Sequence, residues 1–141
     1  MDIYTLIKPY IGPTLGPWTN LTNRRAAMLE VLRVLAGFES SWNWDCGRDT
    51  TNSTSNTPQT TEAGAWQVSC NSRAFGRDLR DLAPADGIRF QRAMKSDHPL
   101  AMEYASRLLR HTIRHNGPVV RKEILPWLKR DAVDQFVDFL T

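Results

Sequence analysis

Glu39 has the setting in this sequence that best suits acid–base chemistry. It follows a stripe of apolar residues at three- and four-residue steps that includes Met28, Leu32 and Leu35. This stripe predicts an amphipathic helix over about residues 23–38, with Glu39 at its end. Partial burial and the negative end of the helix dipole both favour a protonated carboxyl group. We therefore expect Glu39 to act as a general acid near neutral pH, the alternative being an edge carboxylate turned to solvent.

Three segments that bear chemically useful side chains follow one another along the chain. They are Glu39-Ser40-Ser41-Trp42-Asn43-Trp44, then Gly64-Ala65-Trp66-Gln67-Val68-Ser69, and then Arg114-His115-Asn116-Gly117-Pro118-Val119. In this order they resemble the signature of the lytic transglycosylase and goose-type lysozyme superfamily, over roughly residues 23–120. In that signature a helix ends in Glu-Ser, a Gly-Ala-x-Gly-Leu-Met-Gln-like segment follows, and a Tyr-Asn-Ala-Gly-like segment closes the site.

The chain departs from this signature in its second and third segments. Trp66-Gln67 directly follows Gly64-Ala65, so two residues of the family pattern are missing. His115 stands where the family has Tyr, and Asn116-Gly117 lacks the intervening Ala. The correspondence is therefore closer at Glu39 and Gln67 than in the third segment.

The resemblance implies cleavage of the β-1,4 bond between N-acetylmuramic acid and N-acetylglucosamine in peptidoglycan, without a cofactor. Glu39 is then the acid/base, Ser40 positions it or the substrate, and Gln67 contacts an N-acetyl sugar. The remaining predicted substrate contacts are Trp66, His115 and Asn116. Trp42, Trp44 and Trp66 offer flat apolar faces for sugar rings, although we expect at least one of the three to serve the core.

A second catalytic carboxylate decides the type of reaction. Hydrolysis normally requires a pair of acids, and Glu62 is the first choice because it precedes the Gly64-Ala65-Trp66-Gln67 segment. Asp45 and Asp49 are alternatives, and Glu62 as a solvated loop residue is another. Transglycosylases of the superfamily need one catalytic Glu, because a hydroxyl of the substrate attacks and leaves an anhydro sugar.

Cys46 and Cys70 bracket a stretch rich in Thr, Ser and Asn. A disulfide between them would stabilise the chain by roughly 3 kcal/mol in the chain-entropy model, and it would persist in an oxidising compartment such as a periplasm. The alternative is two thiols in a reducing cytoplasm. His111 and His115 stand four residues apart, on one predicted helical face, but no metal site is predicted from them together with Cys46 and Cys70. Neither Cys has a second Cys at metal-ligand spacing, and the two His have no nearby Glu.

The elements that must position these residues are predicted to be mainly helical. Asn20 or Thr22 is expected to cap the first clear helix, and residues 1–22 form an ordered lead-in without a long helix because of their many Pro and Gly residues. Residues 45–62 are predicted to form a loop or small hairpin. The expected fold is a single lysozyme-like domain over 1–141, mainly α or α+β, with a helical lobe and a small loop or hairpin lobe around a cleft.

Four further helical stretches follow from apolar spacing and breakers. The spacing predicts helices near residues 75–82 and 88–94, a longer helix that begins after Asp97 and stops at Gly117-Pro118, and a last helix capped by Asp131. Val133, Phe136, Val137 and Leu140 are expected to face inward in the last helix.

Composition narrows the classes of function. The 141 residues include 18 basic and 15 acidic ones, a net charge of +3 without a dense basic run, which does not favour nucleic-acid binding. The sequence contains no apolar run long enough to span a bilayer, and its start lacks the features of a secretory signal. We expect action in a bacterial periplasm or cell wall, as a type VI-like effector with a periplasmic immunity protein, or as a phage lysis enzyme. Rival classes are a non-catalytic wall-binding module and a helical nucleic-acid-binding domain.

Overall fold

The mainly helical class predicted from the sequence is confirmed by a computed structural model, which describes residues 2–11, 20–47 and 57–141. Within these ranges the α-helices are α1 (Ile3–Ile11), α2 (Leu21–Ser40), α3 (Arg77–Leu82), α4 (Gly87–Ser96), α5 (His98–His111), α6 (Gly117–Val120) and α7 (Arg130–Leu140). Two 3-10 turns, Cys70–Phe75 and Leu125–Trp127, join them.

Helix α2 confirms the helix predicted from the apolar stripe and is longer than predicted at both ends. Asn20 caps its start, with its side-chain oxygen accepting a hydrogen bond from Asn23 N at 3.3 Å. Its end is closed by Ser41, which adopts a left-handed conformation and donates its backbone N–H to the carbonyl of Gly37 at 3.2 Å, while the next N–H, that of Trp42, donates to the carbonyl of Ala36 at 3.1 Å. Glu39 thus lies in the final turn, as predicted.

The hydrophobic core forms where α2 packs against α5, α6 and α7. The largest buried side chains come from several of these elements and include Val31, Leu35, Phe90, Leu108 and Leu109. Tyr104 is also fully buried; its hydroxyl group lies 2.6 Å from Ser72 Oγ and its ring meets Phe90 edge-on. Burial raises the pKa of Tyr104 to about 12, so this hydroxyl stays protonated at any physiological pH.

One carboxylate is fully buried in this core. Glu30 accepts hydrogen bonds from Arg33 Nε at 2.6 Å, from Arg33 Nη2 at 3.0 Å and from the backbone N–H of Lys129 at 2.6 Å. Because Lys129 is the residue that precedes α7, Glu30 fastens the middle of α2 to the start of the last helix.

Helix α5 is shorter than the helix predicted to begin after Asp97. Asp97 caps the start of α5 by accepting from Leu100 N at 3.1 Å, but the helix ends at His111, where Thr112 becomes extended. Gly117-Pro118 opens α6 instead of stopping α5, so the predicted stop is wrong. The physical reason is that proline suits the first turn of a helix as well as the position after an end.

The last helix also begins two residues earlier than predicted. It starts at Arg130 after Lys129, so Asp131 lies in its first turn and is not its cap. Val133 is buried as predicted, Phe136 and Val137 are half-buried, and Leu140 is 37% exposed. This helix therefore covers the core with its first turns and leaves its end in solvent.

The lead-in contains a helix that the sequence did not predict. In α1, Ile3, Leu6, Ile7 and Ile11 are buried on one face although Pro9 lies within the helix. This apolar burial outweighs the hydrogen bond that the proline removes. The breakers at 12–17 lie outside the described residues, as do 48–56 of the predicted loop. No helix of the described part of the chain has the length and apolar character needed to cross a membrane.

The Glu30 contacts predict a large effect from one substitution. Glu30→Gln should lower the free energy of unfolding by about 1.5–3 kcal/mol, the cost of losing charged hydrogen bonds whose partner Arg33 can still reach solvent. Glu103→Gln is the matched control, because it breaks only the surface pair with Arg107 and should cost about 0.5 kcal/mol. Urea unfolding of both variants measures the difference, and equal losses would contradict the role of Glu30.

Candidate active site

Ser40 joins the first two motif segments in space. Its hydroxyl oxygen lies 2.7 Å from the carbonyl oxygen of Ala65 and 3.2 Å from that of Ala36, and it accepts a hydrogen bond from Asn43 N at 3.1 Å. The hydroxyl of Ser40 therefore fastens the last turn of α2 to the Gly64-Ala65-Trp66-Gln67 segment. The role predicted for Ser40, positioning Glu39 or the substrate, stays a prediction.

The second segment is a tight reverse turn. Ala63 and Val68 pair as an antiparallel bridge, and Gln67 N donates to the carbonyl of Gly64 at 3.1 Å. Gly64 has a φ of 82°, and a Cβ atom there would lie 2.7 Å from the carbonyl oxygen of Met94. Only glycine satisfies both the backbone angle and the close approach of α4.

Gln67 is largely committed to holding this turn. Its side chain is buried, and its amide nitrogen lies 3.0 Å from the carbonyl oxygen of Gly64 and 3.2 Å from that of Cys46. The two amide hydrogens can be used by these acceptors, which leaves the side-chain oxygen for a ligand. In the predicted sugar contact, the side-chain oxygen of Gln67 would therefore have to accept a hydrogen bond from the sugar.

The three tryptophans have different surroundings. Trp66 is buried and donates its indole N–H to the carbonyl of Leu32 at 2.8 Å, so it serves the core, as expected of at least one of them. Trp44 is half-buried; it meets Trp66 edge-on at 5.2 Å and stacks on His98 at 3.9 Å. Trp42 is 59% exposed. The burial of Trp66 does not favour the direct sugar contact predicted for it, which stays a prediction.

Two of the acidic candidates are carried by the segments that meet at this turn. Glu39 and Glu62 are both half-buried, Glu39 beside Ser40 and Glu62 directly before the Ala63 bridge. Asp45 is exposed, and Asp49 lies outside the described residues. The contact between Ser40 and Ala65 thus connects the chain segments that carry Glu39 and Glu62.

The third segment reaches Glu62 through His115. Burial, the larger effect, lowers the pKa of His115, while the negative charge of Glu62 raises it in part. The ring of His115 also meets Phe75 edge-on at 6.1 Å, and the neighbouring Asn116 is 3% exposed. Of the predicted substrate contacts, His115 is therefore close enough to Glu62 for their charges to interact, whereas Asn116 has little surface to offer.

Cys46 and Cys70 are not bonded to each other in this structure. The sulfur of Cys70 lies 3.4 Å from the carbonyl oxygen of Ala85, and burial raises the pKa of its thiol, while Cys46 is half-exposed. The disulfide stays a prediction.

His111 Nε2 lies 2.5 Å from Asp78 Oδ1 at the end of α5. Because α5 ends there, His111 and His115 do not share a helical face, contrary to the spacing argument.

Within the described part of the chain, two surface pockets have none of Glu39, Glu62, Gln67 and His115 in their lining. One of about 580 Å³ lies between α2 and α5 and is bordered by Arg24, Arg25, Arg107 and Arg110. The other, of about 380 Å³, is lined by Trp42, Trp127 and Lys129 among others. The sequence does not predict the second pocket, because Trp42 and Trp127, which line it together, are far apart in the chain.

Comparison of the chain with protein-family models, curated proteins and solved structures found no match. The resemblance to the lysozyme-like superfamily therefore depends on the three motif segments alone.

The turn at Gly64 predicts a selective loss of stability. Gly64→Ala should cost roughly 1–2 kcal/mol for the left-handed backbone alone, and more from the contact with Met94. Gly47→Ala is the matched control, because its new Cβ would meet Lys95 Nζ at an ordinary 3.5 Å. Thermal unfolding of both variants tests this, and a Gly64→Ala protein as stable as the control would show that the turn has another conformation.

The lowered pKa of His115 predicts acid sensitivity. The unfolded chain takes up a proton at the ordinary value of about 6.5, whereas the folded chain does so only at a lower pH. The free energy of unfolding should therefore be unaffected by this group above that value and decrease as the pH falls below it. His115→Gln should reduce this slope in urea unfolding measured from pH 7.5 to 5, and an unchanged slope would contradict the assignment.

Proposed function

We propose that this protein is a peptidoglycan-cleaving glycosidase in which Glu39 protonates the oxygen of the β-1,4 bond between N-acetylmuramic acid and N-acetylglucosamine. The observation that carries the proposal is the half-buried position of Glu39 in the last turn of α2, beside a Ser40 hydroxyl fastened to the turn at Ala65. This arrangement joins the two motif segments that best match the superfamily signature.

The setting of Glu39 suits a general acid. A general acid must be held within hydrogen-bond reach of the oxygen that it protonates, and the last turn of α2, closed by Ser41, holds the backbone of the half-buried Glu39 in place. Proton donation to the leaving oxygen then assists cleavage as positive charge develops on the sugar ring. After bond cleavage the same residue, now a carboxylate, can accept a proton from the attacking group.

Whether Glu62 takes part decides which group attacks the positively charged sugar when the bond breaks. As a second carboxylate it could activate a water molecule or form a glycosyl intermediate, and both routes end in a reducing sugar. If Glu39 works alone, a hydroxyl of the substrate attacks and gives an anhydro end. The proximity of Glu62 to the third segment, through the charge interaction with His115, supports its inclusion in the site.

In this proposal the helical lobe carries Glu39, and the segment that includes the Ala63–Val68 turn forms the other wall of a sugar cleft. The enzyme would act in a bacterial periplasm, where a Cys46–Cys70 disulfide could form. Delivery as a type VI-like effector would call for a periplasmic immunity protein that blocks the cleft. Delivery as a phage lysis enzyme would not call for an immunity protein.

Digestion of purified peptidoglycan followed by mass spectrometry tests the proposal. Glu39→Gln should reduce fragment release at least about a hundredfold, the usual contribution of a general acid, while the fold is retained. Glu123→Gln is the matched control, because it removes an exposed carboxylate paired with Arg121, and it should behave as the wild type.

The fragments also identify the reaction. Reducing ends, lost in Glu62→Gln, indicate hydrolysis with two acids; anhydro ends that persist in Glu62→Gln indicate a transglycosylase. Fragment release that is the same for Glu39→Gln and wild type would exclude the assigned acid. Wall binding by the wild type without any fragments would indicate a non-catalytic module.

A further inference from the structure

A pocket of about 380 Å³ lies on the surface of α2 near its end. We call it the tryptophan groove; its lining residues are Arg33, Val34, Gly37, Phe38, Trp42, Trp127 and Lys129. Gly37 and Glu39 are two positions apart in the helix, which places them about 200° apart around its axis. The groove and Glu39 are therefore on opposite sides of α2.

The groove exposes more aromatic surface than a structural role requires. Trp42 is 59% exposed, Trp127 is 60% exposed and Phe38 is 40% exposed. Tryptophan is highly buried on average, and clustered exposed apolar groups commonly mark a binding site. Two indole rings at one pocket offer flat faces on which the C–H groups of a sugar ring can pack.

Trp42 is held in place before any ligand binds. Its indole N–H donates to the carbonyl of Arg33 at 2.7 Å, and its ring covers Gly37 so closely that a Cβ there would lie 2.7 Å from Trp42 Cζ2. Its φ of 61° is a conformation that bulky residues rarely adopt and that costs free energy. A fixed aromatic wall loses little entropy when a ligand binds.

The charge of the groove favours an anionic ligand. The guanidinium of Arg33 is engaged by both oxygens of buried Glu30, so these two charges offset each other. Lys129 contributes its backbone N–H to Glu30, and its side chain lines the groove as an additional positive charge. The groove is thus apolar with a net charge of about +1 from these three side chains.

We propose that the tryptophan groove is a second glycan-binding site, which holds a muramyl-peptide unit of the wall away from Glu39. A sugar ring would pack against Trp42 and Trp127, and a carboxylate of the peptide stem would pair with Lys129. This inference rests on the proposed function, because it takes peptidoglycan to be the substrate. Its role is retention on the insoluble wall, while the bond is cleaved on the other side of α2.

The test combines binding and activity on substrates of two sizes. In a Glu39→Gln background, Trp127→Ala should weaken binding to purified insoluble sacculi about tenfold, and Lys129→Gln should weaken it less. Phe139→Ala is the matched control, because Phe139 is 84% exposed in α7 and does not line the groove. With Glu39 intact, Trp127→Ala should raise KM on sacculi several-fold and leave kcat on short soluble glycan fragments unchanged.

Gly37→Ala provides a second route to the same site. Alanine is favoured over glycine inside a helix, so α2 should remain folded, but the new methyl group must displace the Trp42 ring. This variant should also lose sacculus binding. If Trp127→Ala and Gly37→Ala both bind sacculi as well as the parent protein does, and fragment release is normal, the glycan-binding role of the groove is overturned. The proposed function would be unaffected.

The other outcomes separate the two proposals. Sacculus binding that depends on Trp127 without any fragment release would support the groove and contradict the glycosidase. An absence of sacculus binding and cleavage in every variant would contradict both. If a protein binds to the groove in a way that depends on Trp127 and glycans do not bind, the glycan assignment is overturned in favour of a protein partner.

Discussion

The buried carboxylate of Glu30 is the interaction on which the arrangement of helices depends. A charged group without access to water requires partners for both oxygens, and Arg33 and the backbone of Lys129 supply them. This requirement fixes the rotation of α2 about its axis as well as its distance from α7. Once that rotation is set, the stripe with Leu35 faces the core, and Glu39 and Gly37 are directed to opposite sides.

The local part of the fold could be read from the sequence. Apolar spacing located α2, α3, α4 and α5, and the side chains of Asn20 and Asp97 marked helix starts correctly, because capping depends on neighbours within a turn. The Gly117-Pro118 pair was misread, since the same residues suit an end and a beginning. The helix at Ile3–Ile11 was missed, since its stability comes from burial against distant elements and outweighs Pro9.

The candidate site was predictable only in outline. The apolar spacing predicted that Glu39 would lie at a helix end, and it does. No local pattern indicates that Ser40 bonds to Ala65, that Gln67 donates to Cys46, or that Trp66 donates to Leu32, because these partners are brought together by tertiary packing. Glu30 illustrates the same limit, since Lys129 is 99 residues away in the chain.

The Trp42-Asn43-Trp44 stretch crosses the end of α2 from one side to the other. Trp42 bonds back to Arg33 on the groove side, and Trp44 packs between Trp66 and His98 on the other. The ends of helices commonly fray. Here Trp42 bonds to Arg33 and Ser40 bonds to Ala65, so these contacts hold the end of α2 at two points. In the proposed function this turn carries the acid Glu39, and a turn held at two points would keep the backbone of that residue in place while a long, stiff polymer pulls on the protein.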